Sequence, residues 1–309
     1  MKKIFTLIIF SLITIGFVAC SETSSTNPST TLNTPSTEVP TTQASTTQTT
    51  TALAGYVIDN QVLVDNENIT ITIVEAEEDL FWGFNLKIFV ENKTSDTTLM
   101  FVLDTAVVNG YEYPAFWAES VEFGKKSNSE ITFFSSTLEE LGITSLDKID
   151  LYFRVYDYDD WMADDLLEEK YTLYPTGLSD SEIVSPPRPT SENEYVVIDN
   201  EFLTFIIIDT YMDDIWGYTL RVYIENKTSD VEMMFTWDDV SVNDYMIDPF
   251  WAISLIPGAK TISEISFDEE DLEDNGITEV LEIEFNLRAY DYDYFLEDDI
   301  VDAVFTYNP

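Results

Sequence analysis

Acidic residues cluster at two corresponding places in the chain. A Tyr-Asp-Tyr-Asp stretch occupies residues 156–159 and returns at residues 290–293, and further aspartates follow each copy. Clustered carboxylates on a loop supply the oxygen ligands that a hard cation such as Ca²⁺ takes. The candidate ligands are Asp157, Asp159, Asp160, Asp164 and Asp165 in the first copy, and Asp291, Asp293, Asp298 and Asp299 in the second. These residues make weak Ca²⁺ binding at two loops a candidate function.

The spacing of these acids leaves a purely structural interpretation open. An EF-hand loop needs a glycine at its centre, and neither stretch contains one. The favoured interpretation is that each stretch ends a strand and its acids face water, with Arg154 or Arg288 as an ion-pair partner. Cofactors are therefore expected to be none, or Ca²⁺ alone.

The missing histidine limits the catalytic chemistry. The chain contains no histidine and one cysteine, which removes the commonest general base and the Ser-His and Cys-His nucleophile pairs. Two nearby acids could form the acid/base pair of a glycosidase. Acids are so frequent in this chain, however, that such pairs arise by chance. We therefore expect a protein that is not an enzyme.

The tryptophans fall into a repeated set and an unrepeated set. Four lie in apolar strand runs that occur twice, which predicts core packing, with stacking on sugar rings as the alternative. They are Trp82 and Trp117 with their counterparts Trp216 and Trp251. Trp161 and Trp237 have no tryptophan counterpart, and they are the candidates for exposed contact with a partner.

The sequence elements that position these residues are repeated within the chain. Trp82-Gly83 and the run Glu-Asn-Lys-Thr-Ser-Asp at 91–96 recur 134 residues later, with no gap over the whole unit. About 40% of the aligned positions match, which indicates an internal duplication. The predicted domains are residues 61–175 and 195–309. The Pro-rich linker at 176–194 is expected to let them move separately.

Both units alternate apolar and polar residues with a period of two, as half-buried strands do. Asn109-Gly110 predicts a tight hairpin, and a capping-box pattern at residues 136–139 followed by Gly142 predicts one short helix. This pattern predicts an all-β fold. We expect two tandem immunoglobulin-like antiparallel β-sandwiches, each with one short helix.

The N-terminus predicts export and anchoring. Residues 1–20 join a basic start to an apolar run too short to span a bilayer and end in Ala19-Cys20. This stretch resembles a bacterial lipoprotein signal, which implies that Cys20 is lipidated. Residues 21–60 are rich in Ser and Thr and predict a disordered tether. The expected location is the outer face of the cell membrane, held by the lipid.

The charge of the chain restricts its partners. Asp and Glu number 59 against 14 Lys and Arg, a formal net charge of -45. Such a surface repels nucleic acid and anionic lipid and attracts cations. Nucleic acid is therefore excluded as a partner, and the lipid anchor is the predicted contact with the membrane.

Several short motifs in the second unit are similar to those of a known group. They are residues 242–245 (Val-Asn-Asp-Tyr), 248–250 (Asp-Pro-Phe), 257–258 (Pro-Gly), 272–276 and 288–293. Together with the signal and the tether, they resemble Gram-positive-type surface lipoproteins with tandem immunoglobulin-like repeats of unknown function. The resemblance implies a fold and a location, and no established activity.

These observations favour a non-enzymatic cell-surface lipoprotein. It would display two β-sandwich modules that bind an extracellular protein or a cell-wall glycan, or it would have a structural role in the envelope. The alternative is a calcium-dependent extracellular binding module that uses the two acidic loops.

Overall fold

The computed structural model describes residues 55–79, 81–294 and 298–309. The predicted signal peptide, Cys20 and most of the tether lie outside the described residues. Within the described ranges, no helix combines the length and apolar character needed to cross a membrane.

The first repeat consists of nine strands and one short helix. They are β1 (Asp59–Asp65), β2 (Ile69–Asp79), β3 (Gly83–Asn92), β4 (Leu99–Val108), β5 (Tyr111–Tyr113), β6 (Trp117–Val121), β7 (Lys126–Phe134), α1 (Ser135–Glu140), β8 (Ile149–Asp157) and β9 (Leu167–Leu173).

The second repeat has the same elements in the same order. They are β10 (Tyr195–Asp199), β11 (Leu203–Asp213), β12 (Gly217–Asn226), β13 (Met233–Val242), β14 (Tyr245–Met246), β15 (Ala252–Leu255), β16 (Lys260–Phe267), α2 (Glu269–Asp274), β17 (Ile283–Asp291) and β18 (Val301–Tyr307).

Each repeat folds as a sandwich of two antiparallel layers. In the first, β1-β2-β3-β7 faces β5-β4-β8-β9, and in the second, β10-β11-β12-β16 faces β14-β13-β17-β18. The inward-facing residues of each strand form the core, such as Ile69, Leu86 and Phe153 in the first repeat. The prediction of an all-β fold of sandwich type is confirmed, with nine strands per repeat in the described residues.

The turn signals act as the sequence predicted. Asn109 and Gly110 have positive φ angles of 51° and 91° and connect β4 to β5, as a primed hairpin turn requires. Gly142 ends α1 with a φ of 69°. The capping box is wrong, because Phe134 occupies the N-cap of α1 and makes no side-chain cap bond. In the second repeat, Asp268 does cap its helix.

The Asn-Lys-Thr sequences at residues 92–94 and 226–228 match an N-glycosylation sequon, and each has a structural role. Asn92 is fully buried, and its Nδ2 donates to the carbonyl oxygens of Thr97 and Val121, both at 2.8 Å. Its Oδ1 accepts from the backbone N–H of Thr94 at 3.0 Å. Asn226 makes the corresponding bonds in the second repeat. Each asparagine therefore fastens the loop after its strand to the neighbouring edge of the sandwich.

The two repeats share a sheet. Strand β16 runs parallel to β5, so that the second repeat's four-stranded layer extends a layer of the first. Lys260 N–H donates to the Gly110 carbonyl oxygen at 3.2 Å. Ile206 and Ile208, on the outward face of β11, pack into the first repeat's core. This contact differs from the expectation of separately moving domains.

The linker is attached to the same junction. Ser185 Oγ donates to the Asn109 carbonyl oxygen at 2.6 Å, and Tyr111 Oη donates to the Pro186 carbonyl oxygen at 3.4 Å. The ammonium of Lys260 lies 4.4 Å from the centre of the Tyr111 ring. Lys260 Nζ also donates to the Pro186 carbonyl oxygen at 3.3 Å, so the linker is held against both repeats.

Candidate functional site

The two acidic loops are shaped by their first aspartate. Asp157 Oδ1 accepts from the backbone N–H groups of Asp159 at 2.9 Å and Asp160 at 3.3 Å. Asp291 Oδ1 accepts likewise from Asp293 at 2.9 Å and Tyr294 at 3.2 Å. In each loop this aspartate stabilises a turn through its own side chain.

The remaining acids of these loops are dispersed. Asp159, Asp160, Asp164, Asp165, Asp293 and Asp298 are exposed to solvent. Asp299 is half-buried and pairs with Arg288 at 2.8 and 3.2 Å. Among the residues that the structure describes, no group of three or more acids could hold a metal ion. The geometry favours the structural interpretation with Arg288 as partner, and Ca²⁺ binding stays a prediction.

The tryptophans are distributed differently from the sequence expectation. Trp117 is buried and Trp251 packs against the second core, as predicted. Trp82 and Trp216 are each 61% exposed, so the prediction that they are core residues is wrong. Both come just before the first residue of a strand, where a period of two no longer assigns a face.

The two unrepeated tryptophans also differ from each other. Trp161 is exposed, as predicted, and its contact with a partner stays a prediction. Trp237 is only 3% exposed, so its prediction as an exposed contact is wrong. It lies in β13 in phase with the inward-facing Phe235 and stacks on Phe285 with ring centres 3.7 Å apart. The alternation of the strand therefore explains its burial.

Trp82 and Trp216 belong to a turn that both repeats build in the same way. Asp79 Oδ1 accepts from the backbone N–H groups of Phe81 at 2.8 Å and Trp82 at 2.9 Å. Asp213 Oδ1 accepts from Ile215 and Trp216, both at 2.8 Å, and these bonds lower the pKa of Asp213.

A glycine follows each of these tryptophans and lets the turn lie close to the neighbouring strand of the same sheet. Gly83 and Gly217 have φ angles of 116° and 79°. A Cβ at either would collide with a backbone carbonyl oxygen of the adjacent strand. Phe81 is 86% and Ile215 77% exposed. We call the two structures the tip turns: Asp79, Phe81, Trp82 and Gly83 in the first, and Asp213, Ile215, Trp216 and Gly217 in the second.

A second candidate site lies between the repeats. A cavity of about 1180 Å³ is lined by residues of both, including α1, β9, β12 and β16. Its volume is slightly above the range of about 300–1,000 Å³ for small-molecule sites. We call it the inter-repeat cleft. The acids that matter below are Asp104, Glu112 and Glu140 from the first repeat and Glu232 and Glu264 from the second.

Glu112 joins the two repeats at the base of the cleft. Its Oε2 accepts from the backbone N–H of Ile256 at 3.1 Å, and its Oε1 accepts from the Thr105 hydroxyl at 3.2 Å. Burial is the main cause that raises its pKa to about 7, and the nearby charge of Glu232 adds to it. Burial also raises the pKa of Glu232. Both carboxylates lack enough solvent or cationic partners to stabilise their charge fully.

The sequence reasoning missed this cleft, although a signal was present. At an offset of 134 residues, Glu112 corresponds to Met246 and Glu232 to Thr98. Comparing the copies for positions where only one carries an acid would have located both carboxylates.

Comparison with known proteins gives distant similarities only. No protein-family model matches the chain, and no curated protein matches it. Red sea bream transglutaminase is similar over 79% of this chain and 31% of its own, with 10% identity and a TM-score of 0.23. Amycolatopsis orientalis exo-chitosanase CsxA is similar over 79% and 27%, with 12% identity and a TM-score of 0.20. The chain spans less than a third of either enzyme, and scores this low carry no inference about activity.

Proposed function

We propose that this protein is a non-enzymatic surface lipoprotein, anchored through Cys20, that binds an uncharged extracellular glycan through its two tip turns. The observation that carries the proposal is the exposed tryptophan held by the same aspartate turn in both repeats. An exposed indole face offers a rigid apolar plane to the C–H groups on one face of a sugar ring.

The energetics of exposure support a role in binding. Large aromatic side chains that project into water forgo the free energy of burial in the isolated protein. Here each ring sits in a turn whose backbone N–H groups are fixed by Asp79 or Asp213. Little conformational entropy remains to be lost when such a turn binds.

The charge supports an uncharged partner. A formal net charge of -45 opposes association with polyanions such as nucleic acid or acidic polymers. A neutral glycan meets no such repulsion. The alternatives are an extracellular protein partner and a passive envelope role. In neither of them do the tip-turn tryptophans contact sugar.

Two tip turns on one chain would act together on a polymer. Binding of one turn raises the local concentration of glycan at the other, so that the pair exceeds either alone without new contacts. The contact between the repeats supports this, because it restricts their relative motion.

The test is a pull-down of the purified protein with insoluble cell-wall polysaccharide. We expect Trp82→Ala or Trp216→Ala to weaken capture by about tenfold each, and the double variant to abolish it. Phe123→Ala is the matched control, since Phe123 is an aromatic residue that is 50% exposed and lies outside the tip turns. Equal capture of all variants, or no capture of the unchanged protein, would refute glycan binding by these turns.

A further inference from the structure

The inter-repeat cleft has the size and lining of a ligand site. Its volume of about 1180 Å³ accommodates an oligopeptide or a molecule of similar size. Part of its wall is apolar, with the half-buried Tyr152, Ile253 and Ile262 contributing. Such a wall favours the burial of an apolar body against it.

The charged part of the wall has one sign. Eight carboxylates and two cationic side chains line the cleft. Both cations have acidic neighbours already: Arg221 pairs with Asp209, and Lys170 lies 3.8 Å from Asp150. Glu112, Glu140 and Glu232 have no cationic side chain as ion-pair partner among the described residues. A ligand cation would supply the missing charge.

The cleft exists only where the copies meet. Glu112 and Glu232 come from different repeats, and neither has an acidic counterpart in the other copy. Glu112 also receives the backbone N–H of Ile256 across the junction. The site is therefore a product of the docked pair and is independent of the tip turns.

We infer that the inter-repeat cleft binds an organic cation, in which an ammonium or guanidinium group is attached to an apolar body. One cationic group lies beside Glu112 and Glu232 at the base of the cleft, a second pairs with Glu140, and the body packs on the apolar wall. Basic oligopeptides and aliphatic polyamines both carry this chemistry. The apolar wall favours the peptide, because its side chains bury more apolar area than a polyamine backbone does.

Calorimetric titration of the purified protein tests the inference. The probes are the tripeptide amide Lys-Phe-Lys, the same peptide with both side-chain amines acetylated, and spermidine, each in about 150 mM salt to screen surface charge. We expect the unmodified tripeptide to bind, the acetylated one to bind at least about tenfold more weakly, and spermidine to fall between them. Equal binding of both peptides, or no binding of either cation, would overturn the inference.

Substitutions separate the cleft from the general acidity of the protein. Glu140→Gln combined with Glu232→Gln is expected to weaken tripeptide binding by at least about tenfold. Asp159→Asn combined with Asp160→Asn removes the same charge from an exposed loop outside the cleft and is expected to change it by less than about twofold. An equal effect of both pairs would show counterion binding only and would overturn the inference.

One further variant guards against unfolding. Glu140 is exposed at the end of α1, so Glu140→Gln alone leaves the core and the junction intact. It is expected to weaken binding by severalfold without changing the melting temperature. Tripeptide binding that survives unchanged in this folded variant and in Glu232→Gln would also exclude the cleft.

Discussion

Replacing Glu112 with glutamine is expected to stabilise the protein at neutral and alkaline pH. Burial raises the pKa of this carboxyl from 4.5 to about 7, so the folded protein holds its proton more tightly than the unfolded chain does. The stabilisation that the protonated group gives is complete below pH 4.5, is lost as the pH rises towards 7, and stays lost above that. The ionised carboxylate thus penalises the folded state at about pH 8.

The magnitude follows from the size of the shift. Each pKa unit corresponds to about 1.36 kcal/mol, so a rise from 4.5 to about 7 gives a penalty of about 3 kcal/mol at about pH 8. A glutamine side chain at this position would be neutral at every pH and similar in shape to the glutamate. Its amide oxygen can accept from Ile256 N–H, and its NH₂ can donate to the Thr105 hydroxyl, so both junction contacts persist.

Urea unfolding of Glu112→Gln and the unchanged protein between about pH 4.5 and 8 measures this effect. The variant should gain up to about 3 kcal/mol in free energy of unfolding at about pH 8 and little at about pH 4.5. Glu130→Gln is the control, because Glu130 is exposed on β7 of the same repeat. A difference that does not depend on pH, or a variant that is less stable than the unchanged protein at alkaline pH, would refute the assignment of Glu112 as a destabilised junction carboxylate.

Three further outcomes are expected. Asn92→Ala or Asn226→Ala should each lower the free energy of unfolding by about 2–4 kcal/mol in urea titrations, because buried carbonyl oxygens lose their donor. An effect below about 1 kcal/mol would contradict this role of the asparagines. Calcium chloride at about 5 mM should raise the melting temperature no more than sodium chloride of equal ionic strength, since no acid cluster is formed in the described residues; a larger rise would support the calcium-dependent alternative. Cys20→Ala should abolish incorporation of labelled fatty acid and release the protein into the medium, and retention on the cell would exclude a Cys20 anchor.

Most of the architecture could be predicted because local signals determine it. Alternation in runs such as Ile149–Asp157 gives the strand and its inward face, and Asn109-Gly110 gives a hairpin through its positive φ angles. The duplication confirms each assignment, because every element recurs after about 134 residues. These features depend on sterics and on burial within one repeat, which a single sequence records.

The sites were harder to predict because they depend on how elements meet. Trp82 and Trp216 lie in turns, where periodicity does not distinguish an exposed ring from a buried one. Trp237 has no tryptophan counterpart, which favours an exposed contact, although its strand phase places it in the core. The inter-repeat cleft depends on docking of two distant surfaces, which no local pattern describes.

The differences between the copies nevertheless record that docking. Ile206 faces outward on β11 and is buried by the first repeat, whereas β2 has Thr72 at the corresponding position. An apolar residue at an outward-facing position of only one copy indicates a neighbour that covers it. Glu112 meets Ile256 at the same junction, while its counterpart Met246 is exposed. In a duplicated protein, outward-facing positions that differ between the copies in apolarity or charge therefore locate the surface where the copies meet. They also locate the cleft that the copies enclose.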